Sequence, residues 1–179
     1  MTRTRLKYAI REAGQRDVPA LAKLFEMEAK LHLDLLPVYE MSADFDWREY
    51  VNRKLGKRAK AIFVAETDSQ IVGYIYLRVH PGKTEGGGKN RKARFWRKKQ
   101  RAIGPVLAQD AGVIKNCFVL EKHRRNGVAK ALFDNALTWF RHQGVRRIAL
   151  GVLANNPPAV RFWEHCGFHP YRLLMHREL

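Results

Sequence analysis

The sequence contains few cysteines and no long run of apolar residues. Its two cysteines, Cys117 and Cys166, are too few for a scaffold held together by disulfides. No apolar stretch approaches the roughly 20 residues that a membrane-spanning helix needs, and the opening residues MTRTRLKYAIREAG lack the apolar middle of a secretion signal. These absences argue against a disulfide-rich secreted module and a membrane span, and they predict a soluble protein in the reduced cytoplasm.

Acidic residues are also scarce. The chain has 17 Asp and Glu residues against 34 Lys and Arg, which gives a formal net charge of +17. A field of this sign attracts polyanions and repels cationic molecules that approach from bulk solution. Nucleic acid, anionic membrane surfaces and phosphate-bearing cofactors are therefore compatible partners, whereas polyamine substrates are disfavoured.

The remaining composition, with 46% hydrophobic and 11% aromatic residues, is that of a globular chain, and 179 residues predict a single domain. A basic, glycine-rich insert at about 80–110 interrupts it. Between Lys83 and Arg101 the insert has nine basic residues and one acidic residue. The pair Phe95-Trp96 within this run is typical of contacts with single-stranded nucleic acid. Residues 83–101 are therefore a candidate nucleic-acid or ribosome contact, with a solvated loop as the alternative.

Hydrophobic periodicity predicts an alternation of strands and helices. Asp17 is a candidate cap for the first helix, and Gly144 is a candidate end for the helix that begins near Val128. In chain order we predict a strand at 8–10, a helix over 14–32, a second helix after Pro37, a hairpin of strands 61–66 and 70–79, a strand at 112–119, a helix at 128–143, a strand at 146–153, a short helix at 156–166 and a closing strand at 168–179.

The segment Arg124-Arg125-Asn126-Gly127 stands between a predicted strand and a predicted helix. At a helix start the first backbone N–H groups lack partners, and the helix dipole favours an anion there. Gly127 and Ala129 have little side-chain bulk, so a phosphate can approach the backbone closely. The segment therefore predicts a phosphate or pyrophosphate site, with an ordinary basic turn as the alternative.

Two motifs together resemble the GNAT superfamily of acyl-CoA-dependent N-acyltransferases. The stretch CFVLEKHRRNGVAKALFDNAL is similar to the strand, the Q/R-x-x-G-x-G/A turn and the helix of that family, through Arg124, Gly127 and Ala129. The stretch NNPPAVRFWEHCGF is similar to the family's second motif, and the residues that match it are Asn156, Ala159, Val160, Phe162, Gly167 and Phe168.

The resemblance implies an α/β (α+β) fold with a mixed, mostly antiparallel twisted sheet of about six or seven strands. Helices would flank this sheet, and its splayed central strands would hold the cofactor. It also implies acetyl-CoA as the co-substrate, a primary amine as the acceptor and a possible homodimer, without naming the acceptor.

The resemblance further implies roles for individual residues. The backbone of Phe118 and Val119 would pair with the pantetheine arm of coenzyme A. Asn156 would contact the pantetheine or the reaction centre, or would simply cap its helix. Backbone amides along the turn would hold the pyrophosphate, and those amides belong to Arg124, Arg125, Asn126, Gly127, Val128 and Ala129.

One position departs from the family pattern. Trp163 stands where the family usually has a Tyr that protonates the departing thiolate, and an indole N–H cannot give up its proton near neutral pH. We expect Trp163 to pack against the cofactor, with core filling as the alternative. Cys166 and Tyr171 are possible substitutes for the missing acid, although a structural role is favoured for both.

The general base is equally open, because the predicted strand at 112–119 carries no carboxylate. Asp110 is the nearest acid in the sequence, and Glu66 is a second candidate. The histidines His123, His165 and His169 lack metal-ligand spacing, so no metal site is predicted. The sequence thus predicts an N-acetyltransferase; the alternative is a catalytically weak GNAT-fold module that binds coenzyme A, RNA or the ribosome.

Overall fold

The computed structural model describes residues 8–36, 40–80, 111–175 and 177. The basic run at 83–101 and the candidate base Asp110 lie outside the described residues, so their predicted roles stay predictions. Among the described helices, none is long and apolar enough to cross a membrane.

One mixed sheet forms the centre of the described structure. Its strands are β1 (Ala9–Glu12), β2 (Lys60–Thr67), β3 (Gln70–His80), β4 (Ala111–Val119) and β5 (Arg147–Leu150), and they lie side by side in sequence order. The first four pair antiparallel, and β5 pairs parallel to β4. The predicted fold class is confirmed, with five strands in the described residues instead of six or seven.

Four α-helices among the described residues cover the two faces of the sheet. They are α1 (Val18–Leu35), α2 (Trp47–Asn52), α3 (Val128–His142) and α4 (Pro157–His165). One hydrophobic cluster joins α1 and α2 to one sheet face, and a second joins α3 and Trp163 of α4 to the other face. The site described below lies on the α1 face.

The periodic elements form as their sequences predict. In α3 the buried side chains recur at helical spacing, from Val128 and Leu132 to Ala136 and Phe140. The helix ends before Gly144, whose φ of 69° is the left-handed conformation that favours glycine at this place. Local periodicity is sufficient here because a single face of the helix is apolar.

The hairpin between β2 and β3 is also confirmed. Its two turn residues, Asp68 and Ser69, have φ values of 48° and 60°. Two consecutive residues with positive φ are typical of the tight turns whose twist matches that of paired antiparallel strands.

Two local predictions are wrong. Asp17 precedes α1, but its carboxylate accepts hydrogen bonds from Arg11 and from the Gly14 N–H, and no α1 amide donates to it. The closing strand is absent from residues 168–175, where the structure has no regular element. Leu173 and Leu174 are 76% and 87% exposed there, because this segment lies against no sheet edge.

Candidate active site at the split between two strands

The parallel strands β4 and β5 pair only over their first four residues. The pairing runs from Ala111 opposite Arg147 to Ile114 opposite Leu150, and within the described residues it goes no further. Beyond Ile114 the edge of β4 that faces β5 therefore has no strand partner. Unpaired backbone groups inside a protein need other partners, such as water or a ligand.

A β-bulge on β4 lies where the two strands part. Tyr76 of β3 pairs with Asn116 and Leu77 pairs with Ile114, so Lys115 is the extra residue. A bulge bends its strand and changes the direction of the neighbouring side chains. The bend accounts for the divergence of β4 from β5 at this position.

The turn after β4 has the backbone conformation of an anion site. Arg125 and Gly127 have φ values of 62° and 81°, and the first intrahelical bond of α3 runs from the Ala131 N–H to the Gly127 carbonyl at 2.9 Å. A Cβ atom added to Gly127 would meet no atom within 4 Å, so the space above it is open. Left-handed residues next to a helix start direct several N–H groups toward one point.

Arg124 supports the end of β4. Its Nε donates to the Val119 carbonyl at 2.9 Å, and its guanidinium carbon lies 5.8 Å from the centre of the Phe118 ring. The Asn126 side chain donates to the Arg124 carbonyl at 3.1 Å and so stabilises the turn. Phe118 and Val119 are both 7% exposed.

A cavity of about 300 Å³ opens between α1 and this end of β4. Its wall combines apolar and charged side chains, namely those of Met27, Lys30, Leu31, Asp34, Phe118, Glu121 and Arg124. The cavity connects the start of the turn with the unpaired part of β4.

The start of α4 lies next to the end of α1. Asn156 caps α4 by accepting a hydrogen bond from the Ala159 N–H at 3.3 Å, and Asn155 donates to the Leu35 carbonyl. The cap is the structural alternative that the sequence left open for Asn156. Its contact with a coenzyme stays a prediction.

Trp163 lies in the hydrophobic core. Its ring is 8% exposed and packs edge-on against Phe133 and Phe168, at centroid distances of 5.7 and 5.5 Å. These contacts account for an aromatic side chain at this position without a cofactor. The substitutes considered for the missing acid differ in environment: Tyr171 is 79% exposed, and burial raises the pKa of Cys166.

Sequence reasoning missed the buried carboxylate of Glu28, on the sheet-facing side of α1. Its side chain is 4% exposed, yet three donors surround the carboxylate. Tyr74 Oη donates to it, Asn116 Nδ2 donates at 3.1 Å, and the Cys117 N–H is the third donor. Asn116 and Cys117 follow the bulge directly, so the carboxylate lies at the split in the sheet.

The environment of Glu28 gives it an unusual pKa. Burial raises the pKa from 4.5 to about 7, and the hydrogen bonds from Tyr74, Asn116 and Cys117 oppose part of that rise. Burial and the adjacent carboxylate raise the pKa of Tyr74 well above its ordinary value. A carboxylate with a pKa near neutrality can accept a proton at physiological pH and release it again.

A sequence signal for Glu28 existed. The residue lies three positions after Phe25 and seven after Leu21, on the face of α1 that the apolar pattern assigns to the core. A charged residue in such a row is either paired or functional. The hydrogen-bond donors that would distinguish a paired residue from a functional one lie far away in the sequence. The apolar row alone therefore does not show which of the two Glu28 is.

Glu66, the other candidate base in the described residues, has a structural environment. Its carboxylate accepts a hydrogen bond from Arg11 Nε at 2.7 Å, and Arg11 also binds Asp17. The network joins β1 to β2, two strands away from the split.

Comparison with known proteins agrees with this geometry. A mixed sheet with splayed central strands, in which a strand leads through a turn into a helix, is the arrangement that the GNAT resemblance implies. The model of the Acetyltransferase (GNAT) family matches residues 21–168. The chain belongs to this family.

Individual relatives refine the comparison. The chain is 30% identical over 117 residues to an N-alpha-acetyltransferase of Sulfurisphaera tokodaii, and the match covers 65% of this chain and 60% of the relative. The chain thus spans about 60% of the length of that curated relative.

Solved structures support the fold. A tetramutant of the BH1408 protein from Bacillus halodurans matches with a TM-score of 0.77 at 16% identity, covering 96% of this chain and 99% of that one. Aminoglycoside N-acetyltransferase AAC(6')-Iy in complex with CoA matches with a TM-score of 0.67 at 17% identity, covering 99% of each chain.

Proposed function

We propose that the protein transfers an acetyl group from acetyl-CoA to the α-amine of a polypeptide, with Glu28 as the proton acceptor. The observation that carries the proposal is the buried carboxylate of Glu28 at the bulge, beside a strand edge without a partner. Family membership supports the reaction class, and the name of the curated relative supports the α-amine as acceptor.

Acetyl-CoA would occupy the split and the turn. The pyrophosphate binds the free amides around Gly127, where positive φ angles and open space favour a close approach of phosphate. The pantetheine arm lies along the unpaired edge at Phe118 and Val119, so its amides replace the missing strand. The thioester then reaches the bulge at Lys115 and Asn116.

The transfer needs one proton acceptor. The amine nitrogen attacks the thioester carbonyl carbon, the carbon–sulfur bond breaks, and coenzyme A leaves as the thiolate. Before the attack, the α-ammonium gives one proton to the Glu28 carboxylate, directly or through one water, and this frees the lone pair of the nitrogen. After the attack the nitrogen loses its second proton, which the departing thiolate takes up. A thiolate is a stable leaving group near neutral pH, which makes a dedicated acid at position 163 dispensable.

The pKa of Glu28 favours an α-amine over a lysine side chain. An α-amine has a pKa of about 8 and a lysine side chain about 10.4, against about 7 for Glu28. Proton transfer from the α-ammonium is therefore nearly balanced, whereas transfer from lysine is uphill by about three pKa units. Aminoglycosides carry several ammonium groups, and the net charge of +17 disfavours their approach.

The reaction is tested with acetyl-CoA and a panel of short peptides that have either a free or a blocked N-terminus. We expect coenzyme A release and a singly acetylated product only with free N-termini. Transfer to lysine side chains alone would contradict the acceptor assignment. Coenzyme A binding without transfer to any amine would favour the alternative of a binding module. That alternative is tested by measuring salt-dependent RNA binding before and after deletion of residues 83–101.

The coenzyme site is tested by a matched pair of glycine substitutions. Gly127 and Gly144 both have positive φ and open space, and they stand near opposite ends of α3. Alanine at either position strains the backbone by roughly 1–2 kcal/mol. We expect only Gly127→Ala to weaken coenzyme A binding, by about tenfold, in calorimetric titrations. Equal affinities in the two variants would contradict the assigned pyrophosphate site.

A further inference from the structure

The residues outward from Glu28 on the α1 face form a cluster of aromatic and cationic side chains. The Lys54 ammonium lies 3.3 Å from the centre of the Tyr50 ring and 5.2 Å from that of Tyr76. Cation–π contact holds the charge in a defined position. The cluster is continuous with the site, because the Phe25 ring packs against both Tyr50 and Tyr74, at centroid distances of 5.6 and 4.3 Å. Tyr74 donates to Glu28, and Tyr76 pairs with Asn116.

Further cations surround Lys54. Lys60 on β2 is directly opposite Arg78 on β3, and Lys115 is the extra residue of the β4 bulge. Like charges directly opposite each other on paired strands destabilise a sheet. Burial, followed by the repulsion of Lys60, Arg53, Lys115 and Arg78, lowers the pKa of Lys54 to about 8.

Three of these cations have no acidic partner in the part of the chain that the structure describes. Within the described residues no Asp or Glu forms an ion pair with Lys54, Lys60 or Lys115. Such a group of positive charges costs folding free energy, and an anion that binds among them removes part of that cost. The group lies at the bulge, where the acceptor must present its amine to Glu28.

We propose that Lys54, Lys60 and Lys115 bind carboxylates of the acceptor, so that the preferred substrate is a polypeptide with Asp or Glu directly after its N-terminal residue. The inference rests on the proposed acetyl transfer and adds its substrate class. A polypeptide carries an aliphatic amine and carboxylates on one molecule, whereas nucleic acid supplies phosphates without such an amine. This chemistry favours an acidic peptide over RNA.

The experiment compares two peptides of equal length with free N-termini, one with Asp and Glu at its second and third positions and one with Asn and Gln there. We expect a higher kcat/KM for the acidic peptide. Lys115→Gln and Lys54→Gln should each lower kcat/KM for the acidic peptide by about twofold to fivefold. Lys54→Gln should leave kcat/KM for the neutral peptide within about twofold of the parent value, and Lys23→Gln on the exposed side of α1 is the matched control. Added salt should reduce the preference.

The outcomes separate the two proposals. Equal kcat/KM values for both peptides, unchanged by the lysine substitutions, overturn the inference and leave acetyl transfer intact. If no acetyl transfer occurs, binding of the two peptides is measured by fluorescence anisotropy instead. Selective binding of the acidic peptide that Lys115→Gln weakens then supports the inference although the proposed reaction has failed. Equal binding of both peptides, or tighter binding of a single-stranded oligonucleotide of equal charge, overturns it.

Discussion

The two faces of the sheet differ in the kind of side chain that they bury. Under α3 and α4 the buried cluster is apolar, from Ala61 and Ile75 to Phe140 and Trp163. Under α1 and α2 the cluster includes Tyr74 and Tyr76, and the buried carboxylate of Glu28 lies beside it. The same strands supply both faces, because successive side chains of a strand point to opposite sides.

The difference assigns apolar stabilisation to one face and the proposed chemistry to the other. Apolar burial on the α3 face provides free energy at no cost in desolvated charge. The α1 face holds an ionisable group out of water, which lowers stability and moves the pKa of that group to a catalytically useful value. Substitutions on the two faces should therefore have different effects.

The largest expected effect is on the rate. Glu28→Gln should lower kcat by about 10²–10⁴-fold, because the amide cannot accept the proton. The rise of kcat with pH near 7, which reflects ionisation of Glu28, should disappear. Initial rates between pH 5.5 and 9 under saturating acetyl-CoA measure both effects.

The control for this prediction is Tyr74→Phe, which keeps the carboxylate and removes one donor. The hydrogen bond from Tyr74 lowers the pKa of Glu28, so its loss should move the rise in kcat to higher pH without abolishing it. An unaltered pH profile in Glu28→Gln would remove this residue from the mechanism.

The next effect is on stability. Leu132 is fully buried in α3, so Leu132→Ala should lower the free energy of unfolding by about 2–5 kcal/mol. Denaturant titration measures this change. The pH at which kcat rises should be the same in the folded variant as in the parent protein. Lys130→Ala, on the exposed side of the same helix, should cost no more than about 0.5 kcal/mol. Equal losses in the two variants would contradict the assignment of stability to this face.

The smallest effect has the opposite sign. The folded pKa of Glu28 is about 7 against 4.5 for the exposed group, so the folded protein binds the extra proton and loses stability as pH rises from about 4.5 to 7. Glu28→Gln removes this loss. The variant should be more stable than the parent by about 1–3 kcal/mol at pH 8, with the gain vanishing near pH 4.5.

Asp17→Asn provides the matched comparison, since Asp17 is the other buried carboxylate among the described residues. The hydrogen bond from Arg11 is the main cause that lowers the pKa of Asp17, so its ionised form stabilises the fold at neutral pH. This variant should lose stability at pH 7, and the loss should diminish as pH falls below about 4. Thermal unfolding at several pH values distinguishes the two signs.

Much of the fold could be predicted from local sequence. The apolar rows of α3, the turn residues Asp68 and Ser69, and Gly144 each specify their structure within a few neighbouring residues. The predicted strand at 168–179 shows the limit of such reasoning. Its residues have strand-forming composition, but a strand forms only where a neighbouring strand pairs with it, and residues 168–175 pair with no strand of the sheet.

The candidate site also combines features that the local sequence marks with a residue that depends on distant parts of the chain. The turn around Gly127 and the cap at Asn156 are local features that the sequence marks. Glu28 is different, because its partners Tyr74 and Asn116 lie 46 and 88 positions away along the chain. The apolar row places Glu28 on the core face of α1, whereas Glu26 pairs with Lys30 on the surface, but the row does not show which partners the buried carboxylate has.

The sequence by itself determined the family, the order of strands and helices, and the turn before α3, because each depends on short spacings and on residues with particular backbone preferences. Only the tertiary structure decided which carboxylate is buried at the split in the sheet and which lysines surround it. The pKa of a side chain depends on the water and the charges around it, and those come from segments that meet only when the chain is folded.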